Sequence, residues 1–257
     1  MLFAKLSKYG FSSYAILWFK SYLTDRYQAV RGKNNTVYDW VKITSGVSQG
    51  SVLGPLLFLI FINDLQDKIK ACSRILYADE LQIYIQSSPK NILSTSQQLL
   101  VKSTYISDWS KKNLLTLNPD KVTAMLIGRL LEIEDLQEII TEIQLSDGLI
   151  SLSSNAKNLG VVIDSTLTWN DHIKKIVKTV NFILYRLRYF RQLTDQSLRR
   201  HLITSLVFSH LNYCCACFAE LSQAQDYIIQ KLFNSCVRFV LNIKRRDNIT
   251  PHRISLG

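Results

Sequence analysis

Asp79 and Glu80 are adjacent carboxylates lying between two short apolar runs, Arg74-Ile75-Leu76-Tyr77 and Leu81-Gln82-Ile83-Tyr84-Ile85. Both runs are β-prone and the second alternates with a period of two, so together they predict an antiparallel hairpin with Tyr77-Ala78-Asp79-Glu80 at its tip. A hairpin tip is a stiff place from which to offer oxygens to a hard cation. Magnesium binds proteins through one or two carboxylates and fills the rest of its octahedron with waters and substrate phosphates. Taken alone, the four residues read first as a solvated turn.

A second segment changes the weighing. Gly46-Val47-Ser48-Gln49-Gly50-Ser51-Val52-Leu53-Gly54-Pro55 lies some thirty residues upstream and leads into the apolar run Leu56 to Ile62, followed by Asn63-Asp64-Leu65. Glycines let a backbone approach a ligand where a Cβ would collide. Pro55 suits the first turn of a helix, and the apolar run supplies that helix. The order, glycine loop, apolar helix, acidic hairpin, resembles the palm of a reverse transcriptase, and more narrowly that of the non-LTR retrotransposon type. The register holds further on. Trp109, Asn113 to Lys121 and Met125-Leu126-Ile127-Gly128 resemble the segment after the active-site hairpin, Asn158 to Asp164 the primer-gripping strand pair, and His172-Ile173 through Ser209 to Cys214 the thumb. Ile249-Thr250-Pro251 matches the region that follows. Ser48 stands where a proline is often found.

The resemblance implies an α+β fold: a partial palm of antiparallel sheet with helices over 1–168, and an all-helical thumb-like region over 169–257. It implies a magnesium- or manganese-dependent RNA-directed DNA polymerase acting on an RNA template and a DNA primer. Asp79 and Glu80 would bind the metals, Gly46, Ser48, Gln49 and Gly50 would line the template and incoming nucleotide, and Lys121 would protonate the departing pyrophosphate. Leu159 and Gly160 would hold the primer end, with Lys174, Lys175, Lys178 and Arg186 on its backbone. An exposed lysine at 121 that merely covers apolar surface is an equal reading.

Two departures from the family bear on chemistry. The hairpin tip of the family is Tyr/Phe-Ala-Asp-Asp, and here Glu80 replaces the last aspartate, shifting the carboxylate by one methylene. A misplacement of about 1 Å can cost on the order of a hundredfold in rate. The family also carries an aspartate strand ahead of a helix like Phe3 to Gly10, and Asp25 and Asp39 fall at the wrong place to supply it. Because two-metal phosphoryl transfer rests on positioning and electrostatic stabilisation, the expectation is a reverse-transcriptase fold truncated at both ends, with impaired catalysis. The alternatives are a nucleic-acid-binding remnant without catalysis and a decayed transposon fragment without a role.

Composition places these motifs in a chain of 257 residues, 47% apolar with 9 Gly and 4 Pro, which can bury a real core. The net charge is +11, and residues 170–257 hold 14 Lys/Arg against 5 Asp/Glu, so +9 of it lies in the last third. Tyr185, Tyr189 and Phe190 are interleaved with those cations. This suits a nucleic-acid backbone, unless the aromatics are core and the charges a solvated face. Five cysteines include Cys214-Cys215-Ala216-Cys217, for which buried thiols in a helix are expected over a zinc site, since a second Cys-x-x-Cys pair is lacking. No apolar run reaches the roughly 20 residues of a membrane span, and no cleavable leader is recognisable, so an intracellular protein is expected.

The elements that must position these residues follow from pattern. A helix over Leu2 to Leu23 breaks at Gly10, two β stretches over 27–31 and 36–44 flank a turn, and Trp40 in the second is read as packing. Residues 90–113 form a long polar helix whose Leu93, Leu100 and Ile106 face the sheet, with Trp109 closing that face. Lys121 begins a strand. Residues 129–145 are an acidic amphipathic helix or insertion. Three helices over 170–242 are capped by Asn170 or Thr168, by Thr194-Asp195 and by Ser222.

Overall fold

The computed structural model describes residues 1–69, 72–129, 142–145, 148–218, 220–244 and 246–251. They fall into two compact units. The first comprises Met1–Val122 with Glu142–Ile150, and the second the described residues of Thr123–Thr141 and Ser151–Gly257. The architecture is α+β, with strands that pair two by two.

In the first unit Ser12 caps its helix by accepting from the Ala15 amide at 3.3 Å, so the N-terminal helix is split into α1 (Leu2–Lys8) and α2 (Ser13–Leu23). Strands β1 (Arg26–Gln28) and β2 (Val41–Ile43) pair antiparallel, and a loop then leads into α3 (Leu53–Ile62). Strands β3 (Ser73–Tyr77) and β4 (Glu80–Tyr84) form the expected antiparallel hairpin, followed by α4 (Ile92–Lys112). Helix α3 is apolar all round because it feeds two cores. Its Leu57 joins Leu6 and Phe19, while its end residue Ile62 joins Leu65 and Trp109, onto which Leu76 and Leu81 of the hairpin pack. One rigid helix therefore carries the glycine loop at its start and backs the acidic hairpin at its end.

The second unit starts from β7 (Asn155–Asn158) and β8 (Val161–Asp164), an antiparallel pair closed by Leu159-Gly160. Helices α5 (Asn170–Arg188), α6 (Gln196–Ile203), α7 (Ser209–Asn212) and α8 (Gln223–Val240) follow. They enclose a core containing Val180, Leu184, Val207, Cys236 and Phe239. Asp195 caps α6 through the Leu198 amide at 2.7 Å, and Ser222 caps α8 in a reciprocal box with Gln225. Between β6 (Gly148–Ser151) and β7 the chain makes a single parallel bridge from Leu152 to Ala124.

Several expectations are corrected. Neither Asn170 nor Thr168 caps α5. Asp164, at the end of β8, takes the Thr168 and Trp169 amides at 2.8 and 2.7 Å, and the buried Gln225 amide donates to the Thr168 carbonyl and to Asn170 Oδ1. The second of the three helices is broken by a π-helical stretch, Thr204–Phe208, so four α-helical segments stand where three were expected. Lys121 lies in a 3₁₀ turn, Pro119–Lys121, with Asn118 accepting from the Asp120 amide, since proline at the first position starts a turn rather than a strand. Glu142–Leu145 is strand β5, paired with β6, not helix; the rest of the expected acidic helix lies outside the described residues. Leu93 is exposed, whereas Ile106 packs with Trp109 against Leu76 and Leu81 of the hairpin as expected, and α4 also buries Thr95, Ser107 and Ser110. Trp40 is 67% exposed and so is not packing.

Candidate active site and nucleic-acid interface

The hairpin tip of the first unit is built by a two-residue loop. Tyr77 pairs with Glu80 as the closing rung, and Ala78-Asp79 makes the turn. Ala78 adopts φ 49°, the left-handed region that costs an L-residue with a Cβ about 1–2 kcal/mol. Such strain persists only where the surroundings over-determine it, and it collects at functional sites. Alternation places Leu76 and Leu81 toward the core and Tyr77 and Glu80 on the outward face. Asp79 and Glu80 are both exposed, and among the described residues neither side chain has a hydrogen-bond or ion-pair partner. Two free, hard carboxylates thus stand on a stiff turn. Among the described residues no group of three His, Cys, Asp or Glu side chains comes together.

The glycine loop takes its shape from its own residues. Gly46 and Gly50 have φ of 81° and 78°, conformations that only glycine adopts freely. Ser51 folds the loop back, its hydroxyl donating to the Ser48 carbonyl at 2.7 Å and accepting from the Gly54 amide at 3.1 Å. Val47 and Leu53 pack against the core around Leu57, while Gly46, Gln49 and Gly50 are exposed. Lys121 is exposed and is not among the partners of Asp79 or Glu80.

Sequence reasoning missed a charged group behind the hairpin. Lys5 Nζ donates to Asp64 Oδ1 at 2.7 Å and to the Phe61 carbonyl at 2.6 Å, and Trp109 Nε1 donates to the same carboxylate oxygen at 3.2 Å. The ammonium also sits 4.4 and 4.8 Å from the Phe61 and Trp109 ring centres. An acid directly after an apolar helix, with a lysine on the preceding amphipathic helix, was the available signal.

In the second unit three side chains converge on the Leu159-Gly160 turn. Tyr213 donates to the Leu159 carbonyl at 2.6 Å, and Lys175 Nζ donates to the Gly160 carbonyl at 2.6 Å. His172, 4% exposed, accepts from the Val162 amide through Nδ1 at 3.3 Å. Burial, and then the Lys175 charge, hold its pKa below the ordinary value, consistent with a neutral ring that leaves Nδ1 free to accept. These residues line a cleft of about 260 Å³ with Thr179, Ser209 and His210.

Lys174, Lys175, Lys178 and Arg186 are all exposed on α5, with Lys174 paired to Asp171 at 3.1 Å. Phe182, Tyr185 and Tyr189 are 60, 56 and 68% exposed. At about 100° per residue these seven positions occupy one stripe about 120° wide, opposite the buried Ile173, Ile176, Val180 and Leu184. The aromatics are therefore not core. Two arginines expected on the basic surface do turn inward. Arg199 donates to the Val240, Arg191 and Thr194 carbonyls, and Arg191 donates to the Arg238 and Ile243 carbonyls, satisfying helix and turn ends. Cys215 and Cys217 are exposed and Cys214 is half-buried, against the expectation of buried thiols.

The sequence profile of reverse transcriptase (RNA-dependent DNA polymerase) matches residues 1–163. The chain belongs to the reverse transcriptase family. A probable RNA-directed DNA polymerase from transposon BS of Drosophila melanogaster is 32% identical over 178 residues, 66% of this chain and 19% of that protein. An RNA-directed DNA polymerase from mobile element jockey of Drosophila funebris is 27% identical over 141 residues, 52% of this chain and 14% of that protein. The chain thus spans less than a fifth of either relative. No solved structure gives a significant match. No helix among the described residues is long and apolar enough to cross a membrane.

Proposed function

We propose that this chain carries the palm hairpin and thumb of a non-LTR retrotransposon reverse transcriptase, and that by itself it binds primer–template nucleic acid better than it polymerises. In this reading residues 1–168 are palm and 169–257 thumb. Asp79 is the carboxylate offered to a divalent ion, Glu80 an imperfect second, and Gly46, Ser48, Gln49 and Gly50 line template and nucleotide. Lys121 remains the candidate acid. Leu159 and Gly160 meet the primer end, and Lys174, Lys178 and Arg186 follow its backbone.

The observation that carries the reading is the outward stripe of α5, where cations alternate with three exposed aromatic rings beside the clamped Leu159-Gly160 turn. Cations on such a stripe neutralise phosphates and release counterions, which makes binding salt-dependent. Support for weak chemistry is the longer Glu80 side chain and a donor set of two adjacent carboxylates. The family's RNA template, DNA primer and magnesium or manganese come to this chain on that footing.

The test combines binding and extension. The purified chain should bind a primed RNA–DNA duplex with an affinity that falls steeply with salt. The double substitution Lys178→Gln, Arg186→Gln should lower the salt slope by about 2, one unit per lost phosphate contact. On the same duplex with magnesium and deoxynucleotides, little or no incorporation is expected. Incorporation that vanishes in Asp79→Ala would overturn the impairment, and an unchanged salt slope would overturn the interface.

A further inference from the structure

The second aromatic stripe of the molecule lies in the first unit and has no part in that function. Tyr14, Trp18 and Tyr22 are spaced four residues apart along α2, which sets them on one face at a rise of about 6 Å from ring to ring. Tyr14 is 87% and Trp18 54% exposed, while Tyr22 is half-buried. The rings of Trp18 and Tyr22 are parallel to within 2°, with centres 5.7 Å apart. Their orientation is anchored from below: Phe19 is 9% exposed and meets the indole edge-on at 5.2 Å. Beyond Tyr22 the guanidinium of Arg26 lies 5.9 Å from the ring centre, and its NH1 is shielded without a hydrogen-bond partner among the described residues.

Helix α2 spends its other face on the core through Phe19, Ile16 and Leu23, with Tyr22 packed at its margin, so the exposed Tyr14 and Trp18 are surplus to folding. Its neighbourhood is cationic. Between residues 14 and 43 stand Lys20, Arg26, Arg31, Lys33 and Lys42 against Asp25 and Asp39, and Asp25 is paired with Lys42 at 2.9 Å. Flat rings held in parallel, ending in an arginine and flanked by lysines, match unpaired bases on an anionic backbone better than the aliphatic face of a protein partner. We infer that the outer face of α2 with Arg26 is a stacking platform for single-stranded nucleic acid. This does not rest on the polymerase reading, since it involves none of the residues of the hairpin, the glycine loop or α5.

The test uses the whole chain and fluorescence anisotropy with three probes: a short oligothymidylate, an abasic strand of equal length, and a blunt duplex. The expected results are preference for thymidylate over the abasic strand, and a loss of about tenfold in thymidylate affinity on Trp18→Leu, with the salt slope and duplex affinity unchanged. Tyr14→Ala, at a side chain too exposed to support the fold, should weaken thymidylate binding about threefold and guards against misfolding of the Trp18 variant. Equal affinity for the abasic strand, or no effect of either substitution, overturns the platform. A change in oligomeric state on Trp18→Leu, with thymidylate binding intact, would assign the face to contact between copies and overturns it as well.

Discussion

Gly54 offers the sharpest test of how the glycine loop is held. It is the second residue of α3 and is buried, and its φ is not in the left-handed region, so its need for glycine is purely one of space. A Cβ built there would lie 2.8 Å from the Ser48 carbonyl oxygen, 2.8 Å from Ser51 Oγ and 3.6 Å from Val47 Cγ2. The hydroxyl can swing away, but only by giving up its bond to the Ser48 carbonyl and the one it accepts from the Gly54 amide. Each is worth about 1 kcal/mol net. The Ser48 oxygen is backbone and can move only if the loop moves. Against this, alanine gains at most about 1 kcal/mol over glycine in helix propensity, and less in a first turn. Overpacking costs about 1–3 kcal/mol, so Gly54→Ala should destabilise the loop–helix junction by about 1–2 kcal/mol.

Because the chain packs as two units, a single global unfolding transition is the wrong observable. Amide hydrogen exchange resolves the units. In Gly54→Ala the amides of α3 should exchange about tenfold faster, while those of α5 are unchanged. Ser51→Ala removes one of the two clashing atoms, so in that background the added cost of Gly54→Ala should shrink by about 1 kcal/mol. Unchanged exchange in α3, or strictly additive losses in the pair, would refute the steric account.

Two further predictions concern charges that position rather than react. Lys5→Met strips Asp64 of its ion pair while keeping the aliphatic stem. With the side chains 12 and 31% exposed, solvent screening limits the loss to about 1–2 kcal/mol, read as faster exchange in α1, and Lys5→Met with Asp64→Asn should cost no more than the worse single change. Asp164 titrates below the ordinary carboxylate range: burial alone would raise it, but the bonds it accepts from the amides of Thr166, Thr168 and Trp169 and from the Thr166 hydroxyl outweigh that. A depressed folded pKa means stability present above the unfolded value of about 3.9 and lost as pH falls through it and then through the folded value. Acid unfolding of the second unit should therefore be shallower below that pH in Asp164→Asn, and an identical acid limb in both proteins would remove Asp164 from the account.

The elements that were legible in the sequence are those set by local chemistry. The hairpin at Asp79, the break at Gly10, the caps at Asp195 and Ser222 and the burial of Trp109 follow from spacing and residue type, and all five stand in the structure. What was not legible depends on partners distant along the chain. Asp164 holds the Thr168 and Trp169 amides just ahead of α5 from the strand before it, a reach that single-helix capping rules do not describe. Arg199 counts as a surface charge in any tally of basic residues, yet the carbonyls left open at the end of α8 draw it inside. Exposure of Trp40 could not be separated from burial by pattern, because β2 covers only Val41–Ile43 and the ring falls just outside it.

Lys175 shows how this division bears on the interface. Its neighbours Lys174 and Lys178 and its place on a basic helix make it a phosphate contact by pattern. Its ammonium nevertheless donates to the Gly160 carbonyl at 2.6 Å, while Tyr213 holds the preceding carbonyl and His172 the Val162 amide. Leu159 and Gly160 both have positive φ, 44° and 89°, as a two-residue loop closing the Asn158–Val161 rung requires, and these three side chains hold that loop from outside the hairpin. A lysine that must keep one proton on a carbonyl can still face a phosphate with its others, since an ammonium has three donors. In the proposed interface the clamp and the backbone contact would be one device, because a turn held in place by Lys175 fixes where the end of a bound strand would lie. What ties the basic stripe to the Leu159-Gly160 turn is this one hydrogen bond, which among the described cations of the stripe is made from position 175.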